Sequence, residues 1–179
     1  GWVMSFLRGG QGFCGDAVIR HQKPGWVLPN EIERGLFGGL EAIGDGRGEL
    51  ADPVRHTLTI GNPGLGKTHL MFAVWNQIRI RFPHLRVTYV DTSRFLSEFM
   101  SSLRHRTMDK FHAKYREKCD VLLMDDIHVL GRGEQIQEEF FQTFNHFYLM
   151  RKQVVVTSDR LPKDIPGLED RIRTRLEGG

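Results

Sequence analysis

An eight-residue stretch with three glycines constrains this chain more than any other feature. Residues 61–68 read GNPGLGKT and match the pattern G-x-x-x-x-G-K-[S/T] at every defined position. An apolar segment at residues 57–60 reads as a buried strand before them, and a segment with helical periodicity follows. A strand, a glycine turn and a helix start in this order direct main-chain N–H groups toward phosphate. The sequence therefore predicts a nucleotide phosphate-binding loop.

The predicted cofactors are ATP and Mg²⁺. In such loops the lysine, here Lys67, reaches the β- and γ-phosphates, and the hydroxyl, here Thr68, is a ligand of Mg²⁺. A glycine turn with a solvated lysine is the alternative, but a chance match to this pattern arises in on the order of one such chain in a hundred. The predicted cofactor-binding residues are Gly61, Asn62, Pro63, Gly64, Leu65, Gly66, Lys67, Thr68 and His69.

A second feature, which is acidic, lies further along the chain, where the strand-like segment VLLMD ends in Asp125 and Asp126 follows. We expect this strand to lie beside the loop strand, with Asp125 holding Mg²⁺. Asp126 is placed to orient or deprotonate the attacking water, although it could instead cap a helix or be solvated. Two adjacent carboxylates repel each other unless a cation lies between them, which supports a metal site. His128 follows closely, but a lone histidine is more often a hydrogen-bonded structural residue.

The pattern from residue 55 onward predicts an α/β fold in which a parallel sheet has helices on both faces. Strands are predicted over residues 57–60, 86–91, 121–125 and 153–158, and helices over residues 67–82, 93–103, 108–115 and 134–150. The apolar residues predicted to face inward on the second of these helices are Phe95, Leu96, Phe99, Met100 and Leu103.

Residues 1–54 differ from the rest and hold 12 of the 20 glycines. We treat them as an unassigned flank in which only a short helix over residues 31–43 is suggested, and residues 55–179 as the nucleotide-binding core. The flank carries 5 basic and 7 acidic residues, and the core carries 20 basic and 15 acidic residues, a net charge of +5. This asymmetry permits a polyanionic partner for the core.

Composition excludes several classes of protein. No apolar run approaches the roughly 18 residues that a membrane span needs. The two cysteines, Cys14 and Cys119, are far apart and form no Cys-x-x-Cys pair, which argues against a disulfide framework or a zinc site. Both observations fit a cytoplasmic protein.

Residues from about 56 to 179 resemble the ATPase core of the bacterial replication initiator DnaA, a member of the AAA+ class. The motifs occur in the order and spacing of that family. They are GLGKTHL, RFPHLRVTYV, FLSEFM, DVLLMDDIHVL and QEEFFQTFNHFYLMRKQVVVTSDRLPKDIPGLEDRIRTRLEGG. The resemblance implies a P-loop AAA+ fold and slow, regulatory ATP hydrolysis.

The resemblance also implies further catalytic residues beside Asp126. Asp159 falls at the family's sensor 1 position, where it would report the state of the γ-phosphate. Arg171 and Arg175 match the arginines of the motif called box VII, and Arg175 matches the arginine finger that reaches the ATP of a neighbouring subunit. The alternatives are a capping role for Asp159 and a solvated charged helix whose arginines pair with nearby carboxylates.

Two predicted helices stand between the second and third strands, where the family has an insert that grips single-stranded DNA. Six basic residues lie here: Arg104, Arg106, Lys110, Lys114, Arg116 and Lys118. A basic groove tracks a phosphate backbone, but a solvated charged face explains the same residues equally well. The predicted DNA contacts are Arg104, Arg106, Lys110 and Arg132. The segment GRGEQIQ at residues 131–137 lacks most basic residues of the family's corresponding stretch, which weakens this prediction.

The family continues past the equivalent of residue 179 with a strand, a helical lid and a helix-turn-helix domain. Without that strand we expect an exposed sheet edge beside the loop strand. The leading interpretation is an initiator ATPase that self-associates through ATP-bridged contacts at a replication origin, with DNA and the replicative helicase as partners. The alternative is a DnaA-related regulatory adaptor or a helicase-loader-type ATPase without its own origin-binding domain.

Overall fold

The computed structural model describes residues 56–177, leaving out the side chain of Arg132, together with the backbone of two short strands nearer the N-terminus. Six strands form one sheet in the order β2-β1-β3-β6-β5-β4, and the neighbours among β3, β6, β5 and β4 pair in parallel. The strands are β1 (Val3–Leu7), β2 (Ala17–Ile19), β3 (Thr57–Ile60), β4 (Val87–Asp91), β5 (Val121–Asp125) and β6 (Gln153–Ser158).

The described chain also contains five α-helices, α1 (Lys67–Arg81), α2 (Thr92–Arg104), α3 (Met108–His112), α4 (Glu134–Leu149) and α5 (Asp170–Leu176). A π-helical turn, Ala113–Glu117, continues α3, so the single helix predicted over residues 108–115 is divided. Short 3-10 segments follow β5 at Ile127–Arg132 and β6 at Pro162–Asp164. The other predicted helices and strands agree with the structure to within about one residue at each end.

Both faces of the parallel sheet are buried, as its apolar strands predict. On β5, Leu122 and Met124 join a core cluster with residues of α2, α3, α4 and α5. Leu123 faces the other way and packs with α1 through Met71 and Ile78. This confirms the predicted α/β architecture with helices on both faces.

Two side chains predicted to face inward on α2 are exposed. Met100 and Leu103 are 41% and 42% exposed, whereas Phe95 and Phe99 are buried. Thr92, Phe95 and Phe99 form a stripe at spacings of three and four residues, so the buried face is narrower than the apolar pattern suggests. The prediction for Met100 and Leu103 is therefore wrong.

Two expectations about the sheet are also wrong. The strand that ends in Asp125 does not lie beside the loop strand, because β6 stands between β3 and β5. The edge of β3 is not exposed, since β1 pairs with it in antiparallel register, from Met4 opposite Ile60 to Leu7 opposite Thr57. An added strand satisfies the main-chain groups that an open edge leaves unpaired. The helix suggested over residues 31–43 lies outside the described residues.

Candidate nucleotide-binding site

The glycine loop leaves β3 at its carboxyl end and turns directly into α1. Gly64 and Gly66 have φ angles of 81° and 86°, in the left-handed region that glycine adopts without strain. The Gly61 N–H donates to the Ser158 carbonyl at 3.1 Å, which ties the loop to the end of β6. A Cβ at Gly64 or Gly66 would meet no atom within 4 Å, so the glycines are required here by the backbone conformation.

The Lys67 side chain folds back over the loop. Its ammonium donates to the carbonyl oxygens of Gly61 at 2.7 Å and Asn62 at 3.2 Å, and the residue is buried. A buried cation has to be paired or hydrogen-bonded, and here main-chain oxygens do this. The ammonium is therefore held at the loop, where a phosphate would lie.

Asp125 is buried at the end of β5, where three hydroxyl groups surround it. Thr68 donates to its Oδ2 atom at 2.7 Å, Tyr89 donates to the same atom at 3.2 Å, and Thr157 donates to Oδ1. Burial, and then the charge of Asp125, raise the pKa of Tyr89 to about 12. The phenol therefore remains a hydrogen-bond donor at neutral pH.

These residues fit a magnesium ion. Thr68 and Asp125 offer adjacent hydroxyl and carboxylate oxygens, the ligands that Mg²⁺ prefers. Within the described chain no group of three or more His, Cys, Asp or Glu residues is arranged to hold a metal. Sites for Mg²⁺ usually take one or two carboxylates and complete the shell with water and substrate phosphate. The oxygen set is therefore sufficient for Mg²⁺ bound together with a nucleotide.

Asp126 has a different environment from its neighbour. Its φ of 57° and ψ of 49° lie in the left-handed region, which is uncommon outside glycine and costs on the order of 1 kcal/mol. The side chain is 45% exposed, and the main-chain N–H of Asp126 donates to the Thr157 hydroxyl at 3.0 Å. Burial, and then the charge of Asp125, raise the pKa of Asp126 above its ordinary value. The carboxylate is thus available to solvent at the edge of the site.

Asp159 and His128 lie beyond the carboxyl ends of β6 and β5, beside Asp126. Arg160 donates to both carboxylate oxygens of Asp159, at 2.8 Å and 3.0 Å, and lowers the pKa of that carboxyl. The Nδ1 atom of His128 lies 3.3 Å from Asp159 Oδ1 and 3.9 Å from Asp126 Oδ1. This nitrogen is buried and makes no hydrogen bond to the described residues. Sequence reasoning treated His128 as a hydrogen-bonded structural residue and missed this position between two acidic candidates.

The two candidate arginines of α5 lie against α4. Arg171 donates to Glu169 and to Glu138, both at 2.5 Å, and its guanidinium lies 4.7 Å from the centre of the Phe141 ring. Arg175 lies over the Tyr148 ring at 5.1 Å and forms no ion pair with a described residue. The surface pairing considered from the sequence therefore occurs for Arg171 and not for Arg175.

Arg175 lies away from the glycine loop of its own chain. His56, which precedes β3, is 3.1 Å through its Nε2 atom from the carbonyl of Leu176. Tyr148 lies near the C-terminus of α4, a few residues before β6 begins. Both contacts place Arg175 near the amino ends of the strands, whereas the loop follows the carboxyl end of β3. The four residues of β3 span about 13 Å, so the structure does not bring Arg175 to Lys67 and Thr68.

The six basic residues of the insert divide into two groups. Lys114 pairs with Glu98, and Arg116 pairs with Glu139. The remaining four are exposed and form no ion pair with another described residue: Arg104, Arg106, Lys110 and Lys118. The side chain of Arg132 lies outside the described residues. Three of the four predicted DNA contacts are therefore free for an anionic partner.

A parallel sheet with a glycine-rich phosphate loop and an acidic strand end defines the class of P-loop ATPases. Residues 43–179 match the sequence model of the family described as the Bacterial DnaA ATPase domain. The chain is 54% identical over 129 residues to the chromosomal replication initiator protein DnaA of Bdellovibrio bacteriovorus, covering 72% of this chain and 27% of that protein. The chain belongs to the bacterial DnaA family.

Solved structures agree with this assignment. Domain III of the Thermotoga maritima replication initiation protein DnaA superposes with a TM-score of 0.69 and 33% identity, covering 86% of this chain and 62% of that one. A structure of the replication initiator DnaA bound to AMPPCP and single-stranded DNA gives a TM-score of 0.66 and 34% identity, covering 82% and 44%. The expected AAA+ fold is confirmed, and the comparisons do not favour the adaptor or helicase-loader alternative. Among the described residues, no helix has the length and apolar character needed to cross a bilayer.

Proposed function

We propose that this chain is the ATP-hydrolysing core of a cytoplasmic replication initiator, which assembles with further copies when it holds ATP and acts at a replication origin. One observation carries the proposal. The phosphate loop, the Thr68–Asp125 pair and Asp126 meet at the carboxyl ends of the parallel strands. Arg175 lies near the amino ends of the same strands. The chain spans about a quarter of the length of the initiator relative, 27% for Bdellovibrio. Origin binding and helicase recruitment are therefore proposed for a longer protein.

ATP binding begins with groups that are already in place. The ammonium of Lys67 exchanges the carbonyls of Gly61 and Asn62 for phosphate oxygens. Thr68 and Asp125 hold Mg²⁺, which neutralises charge on the β- and γ-phosphates when it is bound. Tyr89 and Thr157 keep the Asp125 carboxylate oriented through their hydroxyls.

Hydrolysis depends on the carboxylate that remains accessible. Asp126 orients the attacking water and accepts its proton. Asp159 lies at the same edge, held by Arg160, and reports whether the γ-phosphate is present. His128 lies between the two carboxylates.

The arginine finger acts between subunits. Arg175 is separated from its own loop by the length of β3, so it completes the site of a neighbouring chain rather than its own. Arg171, on the same side of α5, supports this contact. A positive group at the transferring phosphoryl raises the rate, because it stabilises charge in the transition state.

A mixing experiment tests this arrangement. Lys67→Ala removes the cation of the loop and should lower affinity for a fluorescent ATP analogue by 100-fold or more, since charged hydrogen bonds contribute about 1.5–3 kcal/mol each. Arg175→Ala should bind the analogue normally but not hydrolyse ATP. An equal mixture of the two should recover hydrolysis that rises with protein concentration, because one chain supplies the finger and the other the nucleotide.

The matched control is Lys118→Ala, which removes an exposed lysine that has no ion pair among the described residues. It should bind and hydrolyse ATP like the wild type. Hydrolysis that does not depend on protein concentration, together with an inactive mixture, would contradict the finger acting between subunits.

We also propose that the exposed basic residues Arg104, Arg106 and Lys110 contact single-stranded DNA, which a solved relative binds. Reversing all three to Glu should weaken binding of single-stranded DNA more than tenfold. It should also lower the slope of log affinity against log salt by about 2, because each phosphate contact on a single strand contributes about 0.7.

A triple reversal elsewhere controls for net charge. Three other exposed basic residues outside the insert serve for this: Arg79, Arg151 and Lys163. This control should retain most of the affinity and the full salt slope. Equal losses in both triple variants would show that net charge, and not the insert, drives binding.

A further inference from the structure

A buried amide holds the segment that leads into the arginine helix. Gln137 lies in the first turn of α4 and is 2% exposed. Its Nε2 atom donates to the Gly167 carbonyl at 2.9 Å, and its Oε1 atom accepts from the Glu169 N–H at 2.8 Å. Glu169 is the N-cap residue of α5. Both ends of one side chain therefore fix the main chain of a segment that is distant in sequence.

The same segment also packs closely against the main chain around Gly131. A Cβ on Gly131 would lie 2.1 Å from the Pro166 carbonyl oxygen, and a Cβ on Gly167 would lie 2.6 Å from the Gly131 carbonyl oxygen. Only glycine allows two backbones to approach this closely. The 3-10 segment that follows Asp126 thus contacts the loop before α5 through main-chain atoms.

The position of α5 depends on its buried side and on the contacts at its two ends. A helix of seven residues is too short to be stable alone, so its packing decides where it lies. Ile172 and Leu176 bury its inner side, and His56 contacts its C-terminus. Gln137 contacts its N-terminus at Glu169, two residues before Arg171 and six before Arg175.

We propose that Gln137 is a positioning residue for the arginine finger. Its two hydrogen bonds set the start of α5, so that Arg175 is presented at the correct place to the nucleotide of the next subunit. This inference rests on the proposed function, because it assumes that the finger acts between chains. A purely structural role would instead stabilise the whole fold and would affect finger and nucleotide site alike.

Two double variants separate these roles. Lys67→Ala with Gln137→Met gives a chain that can supply only a finger, and Arg175→Ala with Gln137→Met gives a chain that can supply only a nucleotide site. Methionine keeps the length of glutamine and removes both hydrogen bonds. Circular dichroism melts confirm that each chain is folded at the assay temperature, and Gln137→Glu, which keeps the acceptor and loses the donor, is prepared in both backgrounds as a second variant.

The reference is the mixture of Lys67→Ala with Arg175→Ala. Placing Gln137→Met in the finger-supplying chain should lower the rate of this mixture about tenfold or more, since a displaced catalytic group loses rate steeply. Placing it in the nucleotide-supplying chain should leave the rate within twofold and leave the affinity for a fluorescent ATP analogue unchanged. Gln137→Glu should show the same asymmetry.

The control is Gln135→Met, which changes an exposed glutamine of the same helix and should leave both mixtures unaffected. An equal loss of hydrolysis rate whichever chain carries Gln137→Met, or no loss in either case, would overturn the positioning role of Gln137. The proposed function would still stand, provided that the reference mixture is active. An inactive reference mixture would overturn the finger between subunits and this inference with it.

Discussion

The phosphate-binding edge and the face between α4 and α5 hold their charged groups in different ways. Lys67 and Asp125 are buried, and their partners are main-chain carbonyls and side-chain hydroxyl groups. Arg171 is exposed and Arg175 is half-buried, and carboxylates and aromatic rings hold them. Surface ion pairs contribute about 0–1 kcal/mol. The first region is therefore preorganised by the sheet, and the second can release its arginines to an incoming phosphate.

The two arginines also differ from each other. Arg171 contacts two carboxylates and an aromatic ring, whereas Arg175 has only the ring of Tyr148 among the described side chains. An exposed contact between a cation and a ring contributes about 0.5–1 kcal/mol. Arg175 loses less when it leaves its resting place, which agrees with its proposed role as the finger.

The largest expected effect concerns the phosphate-binding edge alone. Asp126→Asn should leave ATP binding unchanged and slow single-turnover hydrolysis about 100-fold or more, because the group that accepts the proton of water is lost. Asparagine tolerates the left-handed backbone found at this position, so the fold should persist. Quenched-flow hydrolysis and analogue binding give the two measurements.

Asp126→Asn also tests whether the phosphate-binding edge and the arginine helix α5 act independently. Asp126→Asn keeps an intact α5, so it should still supply a finger and restore hydrolysis when mixed with Arg175→Ala. Asp109→Asn, which changes an exposed aspartate of α3, is the control and should hydrolyse ATP normally. Unchanged turnover in Asp126→Asn would remove this carboxylate from the catalytic residues.

The glycine loop could be predicted from the sequence because its residues are contiguous. The glycine spacing of residues 61–68 is tied to one backbone conformation, and Lys67 and Thr68 follow at fixed positions. The meeting of Thr68 with Asp125 was also expected, although β6 was not foreseen between β3 and β5. Short-range pattern was sufficient for the loop itself, whereas the order of the strands depends on long-range pairing.

The features that were missed depend on packing between distant segments. The contact of Gln137 with Gly167 and Glu169 joins residues 30 and 32 positions apart, and no periodicity marks it. The approach of His128 to Asp159 likewise depends on how the 3-10 segment packs beside β6. The pairing of β1 with β3 joins parts of the chain that are far apart in sequence, which local glycine content does not reveal.

The smallest expected effect concerns the resting place of Arg175. Tyr148→Ala removes the ring and should change the free energy of unfolding by less than about 1 kcal/mol, since this side chain is partly exposed. Concentration-dependent hydrolysis should change by less than about fivefold, because the ring only competes weakly for the guanidinium. Tyr148→Phe keeps the ring and should match the wild type in both measurements. If Tyr148→Ala lost as much hydrolysis as Arg175→Ala, the ring would be needed for the finger to act. The contact between Arg175 and the ring would then be a fixed part of the subunit contact, as the partners of Lys67 are a fixed part of the loop, and not a weak resting place.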